Sequence, residues 1–302
     1  MTELLEVGAE RAADVVAVIH AAFAGRPVLD PPSTALDETV DTVAAALAAH
    51  GGLLAVHDGA PVGALLFDDA GDLLGLRRVG VLESARHHGV ASLLALRAED
   101  VARQRGRRGL VLEARAELPR TVRFWQRHGY VEIDRDGPRL HLLRLLPSVV
   151  ELPTPEETRR LGERLAGVLR SGDLLILTGD LGAGKTTFTQ GLGAGLGIRG
   201  AVTSPTFVIA RVHPSQTDGP ALIHVDAYRL GDAAELDDLD LDTDVDRAVT
   251  VVEWGSGLAE ALAVDRLEIT LTRAEDDVRT LRLTPVGGRW RHVDLGPILA
   301  PA

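Results

Sequence analysis

The sequence predicts two domains: an α+β domain with a mostly antiparallel sheet, followed by an α/β domain built around a phosphate-binding loop. A chain of 302 residues is long enough to bury two cores of ordinary size. The stretch "LPSVVELPTPEET" contains three prolines, which interrupt regular structure. The glycine-rich "LTGDLGAGKTTFTQG" begins only at Leu177, although such loops usually follow the first strand of their own domain. We therefore expect one domain over residues 1–147 and another over residues 148–302.

The composition indicates a globular protein of a reducing compartment. Apolar residues make up 45% of the chain, cysteine is absent, and no run of about 20 uncharged apolar residues exists to span a membrane. The first residues carry acids where a secretory signal has basic residues. We therefore expect a soluble cytoplasmic protein. The net charge of −12 argues against direct, non-specific binding of nucleic acid, whose phosphates repel an acidic surface.

The first half alternates helical and strand patterns in an α+β order. Helical periodicity covers residues 9–24 and 37–49, and Asp58-Gly59 supplies the turn of a hairpin in "GLLAVHDGAPVGALLFDD". The later segments are a strand "LLGLRRVGVL", a helix "GVASLLALRAEDVARQRG" that ends at Gly106, a strand "GLVLEAR", a helix "LPRTVRFWQRHG", and strands "YVEID" and "RLHLLRLL". This order predicts a mainly antiparallel sheet.

The second half has the alternation of an α/β domain. A helix over residues 155–170 precedes the strand "DLLILTG", the glycine loop and a second helix that starts near Lys185. Further strands are predicted from "PTFVIARVH", "ALIHVDAYRL" and "AVTVVEWG", with an acidic helix between the last two. The segments "RLEITLTR" and "VRTLRLTPV" predict a closing hairpin around "AEDD".

The loop satisfies the phosphate-binding pattern G-x-x-x-x-G-K-[ST] with Gly179, Gly184, Lys185 and Thr186. It follows a predicted strand and opens a predicted helix, which is the context that the mechanism requires. Glycines let backbone N–H groups turn toward phosphates, the lysine reaches the β and γ oxygens, and the threonine hydroxyl can hold Mg²⁺. Lys185 is also the only lysine among 32 basic residues. The pattern predicts nucleotide binding.

A phosphate-loop enzyme also needs a carboxylate at the end of a second buried strand to complete the Mg²⁺ shell. Glu253 ends the β-prone run "VTVVE", and Asp226 follows "IHV". Either carboxylate could instead be a strand-end acid paired with an arginine. The sequence contains no N-K-x-D stretch, which argues against a GTPase, and it lacks the arginine-rich lid of a small-molecule kinase.

Five stretches occur in the order seen in the TsaE family, the ATPases of bacterial tRNA threonylcarbamoyladenosine synthesis: "GDLGAGKTTFTQGLGAGLG", "TSPTF", "HVDAYRL", "EL" and "VEWG". The resemblance covers about residues 151–283. It implies ATP and Mg²⁺ as ligands, with Thr186 and Glu253 on the metal and Asp226 as a catalytic or metal-shell carboxylate. The other residues that it implies are Gly182, Ala183, Gly184, Lys185, Thr186 and Thr187 around the phosphates, Ser204, Pro205 and Thr206 as a mobile switch, residues 154–158 at the adenine, and Arg279 beside the nucleotide.

Members of that family do not modify tRNA themselves. Their ATP cycle resets a TsaB/TsaD-type complex, which transfers the threonylcarbamoyl group to the adenosine beside the anticodon. The resemblance therefore implies an ATPase that couples to a partner complex and reaches tRNA only through those partners. This indirect role is compatible with the acidic net charge of the chain, because the partners would make the contact with RNA.

The segment "RRVGVLESARHHGVASLLALRAEDVARQRG" resembles the acyl-CoA-binding core of the GNAT acetyltransferases. Arg86, Gly89 and Ala91 fit the family pattern R-x-x-G-x-G/A, in which loop amides, here including that of Val90, take the pyrophosphate of coenzyme A at a helix N-terminus. The downstream "GLVLEARAELPRTVRFWQRHGYVEID" strengthens the resemblance, which covers about residues 3–146. It implies a GNAT-like acyl-CoA-binding domain with acetyl-CoA as a ligand.

Catalysis by this first domain is a separate question. Many family members have a tyrosine, which protonates the leaving thiolate, where this chain has Trp125, and an indole N–H cannot serve as that acid at neutral pH. Tyr130 is expected to pack in the following strand. Glu83, Glu113 and His141 are candidate bases, and each also has a purely structural interpretation. An active transferase and a degenerate acyl-CoA-binding module both stay open.

The leading interpretation is a GNAT-type domain fused to a TsaE-type ATPase. One alternative is a phosphate-loop small-molecule kinase fused to an acyltransferase, which "TSPTF", "VEWG" and the missing lid disfavour. Another alternative makes the first domain a docking module without chemistry, which the tryptophan at position 125 favours.

Overall fold

The computed structural model describes residues 1–86, 88–205, 207–232, 235 and 246–300. The chain divides into two compact units, Met1–Leu146 and Pro147–Ala302. Two predictions fall outside the described residues: Thr206 of the switch, and most of the acidic helix between Asp232 and Asp246. Within the described residues, no helix is long and apolar enough to cross a membrane.

The N-terminal unit is built on a seven-stranded sheet. Its strands are β1 (Thr2–Val7), β2 (Gly52–His57), β3 (Ala60–Ala70), β4 (Leu73–Val81), β5 (Gly109–Arg115), β6 (Val131–Asp136) and β7 (Arg139–Leu145). Its helices are α1 (Ala12–Ala24), α2 (Val40–His50), α3 (Val90–Gln104) and α4 (Pro119–Arg127). The strand order is β1-β2-β3-β4-β5-β7-β6, and β4 pairs with β5 in parallel whereas the other neighbours are antiparallel. The predicted, mainly antiparallel sheet is confirmed.

Alternate residues of the central strands face two different cores. On β2 and β3, Leu54 and Leu66 pack with residues of α1 and α2, whereas Leu53 and Leu65 pack with residues of α3. This is the period of two that a strand imposes on its side chains. Because both faces are covered, these strands read as continuous apolar runs.

The predicted hairpin turn is confirmed, since Asp58 and Gly59 have φ of 49° and 83°, as a two-residue hairpin turn requires. Strand β1 is absent from the sequence prediction, which starts the domain with a helix at residue 9. Ala9–Arg11 form a short 3-10 turn instead, and α1 begins at Ala12. β1 is an edge strand that pairs with β2, so its six residues mix acids with apolar residues and lack the long apolar run of an interior strand.

Strands β4 and β5 diverge after a short parallel pairing. Their register covers only Leu73–Leu76 of β4 and Gly109–Leu112 of β5, although both strands continue beyond it. Arg78 of β4 has φ of 53°, close to a shift in the β3–β4 register. The divergence leaves a cleft of about 440 Å³ that residues of both strands line.

The C-terminal unit contains a second seven-stranded sheet. Its strands are β8 (Ser148–Leu152), β9 (Leu174–Thr178), β10 (Ala210–His213), β11 (Ala221–Asp226), β12 (Ala248–Glu253), β13 (Arg266–Arg273) and β14 (Arg279–Val286). Its described helices are α5 (Pro155–Ala166), α6 (Lys185–Gly195) and α7 (Gly296–Leu299). The order is β10-β11-β12-β9-β13-β14-β8, with β11, β12, β9 and β13 parallel. The carboxyl ends of these four strands lie at one edge of the sheet, where the glycine loop follows β9.

Two strands of this unit differ from the prediction. β8 pairs antiparallel with β14, although the flanking prolines predict a linker there; these prolines bound the strand and leave its ladder intact. β10 begins at Ala210 rather than at Pro205, because the N–H groups of Val208 and Ile209 donate to the Pro205 carbonyl oxygen at 2.8 and 2.7 Å. A turn therefore occupies the start of the predicted strand.

Helices α5 and α6 approach each other closely enough for their backbones to touch. A Cβ at Gly191 of α6 would overlap the carbonyl oxygen of Arg159, and a Cβ at Gly162 of α5 would overlap the carbonyl oxygen of Phe188. Glycine is the residue that permits such an approach. The glycine at 191 in "GLGAGLG" therefore serves helix packing rather than phosphate contact.

Candidate functional site

The glycine loop joins β9 to α6 at the carboxyl edge of the parallel strands. Gly179, Gly182 and Gly184 have φ of 148°, 82° and 109°, which L-residues rarely adopt. A Cβ at Gly179 would also overlap the carbonyl oxygen of Leu271. α6 begins at Lys185, so the positive end of a helix follows the loop directly. The backbone here therefore requires glycine at the pattern positions and suits an anion.

Lys185 is held inside this loop and is 5% exposed. Its Nζ donates to the carbonyl oxygens of Gly179 (2.7 Å) and Asp180 (3.1 Å) and lies 3.9 Å from the centroid of the Trp254 ring. Burial lowers the pKa of the ammonium, and nearby carboxylates act in the opposite direction. Backbone carbonyls and an aromatic face thus keep the positive charge in place.

Glu253, at the end of β12, lies against Thr186 in the first turn of α6. The Thr186 hydroxyl donates to the carboxylate, with oxygens at 3.1 and 3.3 Å. Glu253 is 3% exposed, and its Oε1 lies 2.9 Å from Nε2 of the fully buried His224. Because an ionised carboxylate only accepts, Nε2 carries the imidazole proton; Nδ1 has no partner within the described residues. His224 therefore orients the Glu253 carboxylate toward Thr186.

Asp226, at the end of β11, is the second buried carboxylate and is 4% exposed. Its Oδ2 accepts from the Ser204 hydroxyl at 3.1 Å, and its Oδ1 accepts from the Tyr228 N–H at 3.1 Å. The parallel register places Asp226 directly opposite Glu253. The two candidate carboxylates thus lie side by side, and it is Glu253 that contacts Thr186.

These groups line one cavity of about 620 Å³. Its lining residues are Leu181, Gly182, Gly184, Lys185, Thr186, Thr187, Ser204, Asp226, Tyr228, Glu253 and Trp254. The structure thus brings together the loop, both candidate carboxylates and the first residue of the predicted switch. Ala183 and Pro205 are buried and do not line the cavity.

Two arginines approach the loop from the side of β13 and β14. A Cβ at Gly184 would lie 3.5 Å from Nε of Arg279 and 3.7 Å from Cγ2 of Thr158. The basic residue and the helix start that the resemblance implies therefore both adjoin the loop, outside the cavity lining. Arg273, which carries no role in the sequence prediction, is also close, because a Cβ at Gly182 would lie 3.6 Å from its Nη1.

The donors at this site suit a small hard cation. Hydroxyl and carboxylate oxygens are available from Thr186, Glu253 and Asp226, and Mg²⁺ is usually held by one or two protein oxygens together with phosphate oxygens and waters. Among the described residues, no group of three or more His, Cys, Asp or Glu side chains could hold a metal by itself. A metal here would therefore depend on the nucleotide for part of its coordination.

Two residues of the site, His224 and Trp254, have no assigned role in the sequence prediction. His224 stands two positions before Asp226, so strand periodicity puts both on one face of β11. Its contact with Glu253 depends on β11 and β12 being neighbours, which no local pattern encodes. Trp254 has φ of 62°, and this turn directly after Glu253 brings its ring over Lys185.

The predicted coenzyme loop of the N-terminal unit leads into α3. Gly89 has φ of 74° and immediately precedes Val90, the first residue of the helix, with Ala91 in the first turn. Arg86 is half-exposed and lies 3.5 Å from the exposed carboxylate of Glu83. The first N–H groups of a helix lack helical partners, so this end of α3 can receive an anion.

The cleft between β4 and β5 contains Glu113 of the three candidate bases. Glu83 lies in the loop before α3, and His141 stands opposite Glu113 on β7. Trp125 also lines the cleft and is 4% exposed. Of the candidate acid–base groups among the described residues, the cleft therefore contains the Glu113 carboxylate, with the Trp125 indole beside it in the lining.

Tyr130 packs in the core, but it lies directly before β6 rather than within the following strand as predicted. Its ring centroid is 4.9 Å from that of Trp125, and its hydroxyl is buried without a partner within the described residues. Burial raises the pKa of the phenol. Tyr130 does not line the cleft.

Comparison with known proteins relates the C-terminal unit to one family. Residues 152–281 match the model of a protein family described as threonylcarbamoyl adenosine biosynthesis protein TsaE. The tRNA threonylcarbamoyladenosine biosynthesis protein TsaE of Streptomyces coelicolor is 59% identical over 142 residues, covering 45% of this chain and 96% of that protein. The chain belongs to the TsaE family. The TsaE of Bacillus subtilis is 45% identical over 138 residues, covering 45% of this chain and 84% of that protein. The predicted TsaE-like phosphate-loop α/β domain is confirmed.

A different family model matches residues of the N-terminal unit. The chain is similar to a solved structure of PaiA N-acetyltransferase from Thermoplasma acidophilum in complex with coenzyme A, with 15% identity, a TM-score of 0.44, and coverage of 48% of this chain and 99% of that chain. Residues 19–130 match the acetyltransferase (GNAT) family model. The N-terminal unit therefore has the predicted GNAT-like fold, and one polypeptide joins it to a TsaE unit.

Proposed function

We propose that the C-terminal unit is a Mg²⁺-dependent ATPase required for the formation of tRNA N6-threonylcarbamoyladenosine. It acts on a TsaB/TsaD-type partner complex, and those partners contact the tRNA. The observation that carries the proposal is one cavity that holds the glycine loop, Lys185, Thr186 and Glu253 in a chain of the TsaE family. Residues 148–302 form the ATPase domain, and residues 1–147 form the acyl-CoA-binding domain.

The residues of the cavity divide the chemistry among them. Loop N–H groups and the start of α6 bind phosphate oxygens, and the Lys185 ammonium offsets charge at the β and γ oxygens. Thr186 and Glu253 would hold Mg²⁺, and a bound Mg²⁺ would supply positive charge that neutralises the phosphates. Asp226, whose carboxylate accepts from Ser204, orients a water near the γ-phosphate.

Turnover by the unit alone is slow in this proposal. Lys185 is the only cation among the described residues that line the cavity. An arginine that stabilises charge on the transferred phosphoryl group is worth about 10³–10⁵ in rate. A partner complex that supplies such a charge would stimulate hydrolysis, so ATP use would be tied to assembly.

Glu253→Gln tests the metal assignment, because it keeps the shape of the side chain and removes the charge. We expect ATP hydrolysis with TsaB/TsaD-type partners to fall at least about 10²-fold, while nucleotide affinity measured without Mg²⁺ stays within about twofold. Asp226→Asn is the matched control, since it neutralises the neighbouring carboxylate that does not touch Thr186. It should lower turnover but preserve the gain in nucleotide affinity that Mg²⁺ provides.

Parental hydrolysis by Glu253→Gln would contradict this assignment and transfer the metal role to Asp226. The reaction product separates the proposal from the kinase alternative: inorganic phosphate is expected, and a phosphorylated metabolite would identify a kinase.

We propose a second function, acetyl-CoA binding by the N-terminal unit with slow or absent transfer to generic amines. Gly89 at the start of α3 and the divergence of β4 from β5 support binding. Trp125 supports slow transfer, because no tyrosine is among the described residues that line the cleft.

Two glycines at opposite ends of α3 provide a matched test of acetyl-CoA binding. Gly89 and Gly106 both have positive φ, 74° and 65°, and both have open space around a would-be Cβ. Gly89→Asp should weaken acetyl-CoA binding at least about tenfold, because its carboxylate would repel the pyrophosphate, whereas Gly106→Asp should not. Calorimetric titration of the full chain measures both. No heat with the parent at millimolar acetyl-CoA would sink the binding proposal, and brisk acetylation by the parent would show that Trp125 is no obstacle.

A further inference from the structure

Arginines surround the cleft between β4 and β5. Within the part of the chain that the structure describes, the charged residues that line it are Arg26, Arg77, Arg78, Arg115, Arg139 and one acid, Glu113. Four of the arginines have a carboxylate partner. These pairs are Arg77–Glu38 (3.6 Å), Arg78–Glu38 (2.8 Å), Arg115–Glu117 (2.7 Å) and Arg139–Glu113 (3.9 Å). Some of these arginines also form hydrogen bonds to the backbone of other segments. Arg115, for example, donates to the carbonyl oxygens of Asp30 and Pro31.

Arg26 is the exception. It follows the end of α1, its guanidinium carbon lies 3.5 Å from the centroid of the Phe23 ring, and its Nη2 donates to the Val79 carbonyl oxygen at 3.2 Å. No acidic side chain among the described residues acts on it. Burial, with a smaller contribution from the Arg86 charge, lowers the pKa of Arg26 to about 10. The cleft thus contains a protonated, partly desolvated guanidinium that has no counter-ion among the described residues.

Such a group favours one kind of ligand. A desolvated charge without a partner is unfavourable, and an anion that enters the cleft would relieve the cost. A guanidinium presents five N–H donors in a planar fork that matches a carboxylate, and Arg26 uses one of its nitrogens on Val79. Polyamines and lysine side chains, which are common acyl acceptors, would meet repulsion in this cleft.

We propose that the cleft binds a ligand that carries a carboxylate, with Arg26 as the residue that recognises it. The proposal rests on acyl-CoA binding by the N-terminal unit. The carboxylate has two possible sources: the far end of a dicarboxylic acyl chain on coenzyme A, or the acceptor molecule itself. Both place the same group beside Arg26.

The test uses the full chain and three variants. Arg26→Met removes the charge and keeps an apolar stem against Phe23, and Arg26→Lys keeps the charge without the fork. Arg77→Gln is the matched control. It removes a positive charge from the same cleft, but Arg77, unlike Arg26, already has carboxylate partners in Glu38 and Asp68. Thermal unfolding of each variant without ligand checks that the fold is retained.

The first arm compares two acyl chains of equal length, succinyl-CoA and butyryl-CoA. If the acyl chain is the source, the parent binds succinyl-CoA about 10- to 100-fold more tightly, which is the usual worth of a hydrogen bond to a charged group. Arg26→Met should abolish that preference, Arg26→Lys should keep part of it, and Arg77→Gln should leave it within about twofold.

The second arm adds L-amino acids, each against its C-terminal amide, to protein saturated with coenzyme A. If the acceptor is the source, the acids raise the unfolding temperature and the amides do not, and Arg26→Met removes the difference. The proposal is overturned if acyl-CoA binds but neither arm shows a carboxylate preference. It is also overturned if Arg26→Met weakens coenzyme A, butyryl-CoA and succinyl-CoA equally, since Arg26 would then serve the phosphates.

A failure of acyl-CoA binding is distinguishable from a failure of this proposal. If no acyl-CoA binds, the amino-acid arm is repeated on the protein without coenzyme A. Stabilisation by the acids that depends on Arg26 would support a carboxylate site in a domain that does not use coenzyme A. Its absence would overturn the proposal.

Discussion

Lys185→Ala is expected to lower partner-stimulated ATP hydrolysis by about 10²–10³-fold, because it removes the charge at the β and γ oxygens. Lys185→Arg is expected to lower partner-stimulated ATP hydrolysis nearly as much. The ammonium lies between two loop carbonyls, at 2.7 and 3.1 Å, and the face of Trp254, and the side chain is 5% exposed. A planar guanidinium is larger and differently hydrated, so keeping the charge does not keep the fit.

The test measures nucleotide affinity and steady-state ATP hydrolysis of the parent protein, Lys185→Ala and Lys185→Arg. The control is Arg282→Gln, which removes one positive charge from an exposed position on β14 of the same unit and should leave both quantities unchanged. Parental activity of Lys185→Arg would mean that the loop has room for a guanidinium, and the tight enclosure described above would be wrong.

Gly191→Ala is expected to destabilise the C-terminal unit by about 3 kcal/mol, the upper range for overpacking a core. Alanine normally stabilises a helix interior relative to glycine by about 1 kcal/mol. A loss of stability in Gly191→Ala would therefore indicate the close contact between the helices rather than helix propensity. The added Cβ would overlap the carbonyl oxygen of Arg159, and a backbone atom cannot rotate away as a side chain can. α5 and α6 would have to separate, which would disturb the helix that carries Lys185 and Thr186.

Denaturant unfolding of the full chain measures the effect, with each transition assigned to its unit. Gly231→Ala is the control in the same unit, because the nearest atoms to its would-be Cβ are 3.7 Å away and its φ is not in the left-handed region. Unchanged or increased stability of Gly191→Ala would show that the two helices tolerate a methyl group between them.

Much of the fold is predictable from local patterns. Periodicity and turn chemistry locate most helices and strands, and the Asp58-Gly59 turn is a case in which two residues specify a hairpin by their tolerance of positive φ. The failures also have local causes. β1 and β8 are short edge strands in which polar or acidic residues interrupt the apolar ones. The strand predicted from Pro205 is shortened by a turn around that proline.

Part of the candidate site is likewise predictable from local sequence, and part is not. The glycine pattern with Lys185 and Thr186 is contiguous, so its spacing alone predicts a phosphate loop. The partner of Thr186 is not contiguous: both Glu253 and Asp226 are strand-end carboxylates in sequence, and the sequence favours Glu253 without excluding Asp226. The structure separates them because β12 lies beside β9 and β11 lies one strand further away.

The sequence by itself determined the two-part organisation of this protein, the TsaE family of its second part, the resemblance of its first part to the GNAT acetyltransferases and the backbone demands of the phosphate loop. Each of these depends on residues that are neighbours in the chain. The tertiary structure decided which groups meet: Glu253 with Thr186 and His224, glycines of α5 and α6 at a close crossing, and Arg26 in a cleft where the other arginines are paired. These contacts depend on the order of the strands and on the divergence of β4 from β5. Both arise from packing between segments that lie tens of residues apart, and no local pattern encodes them.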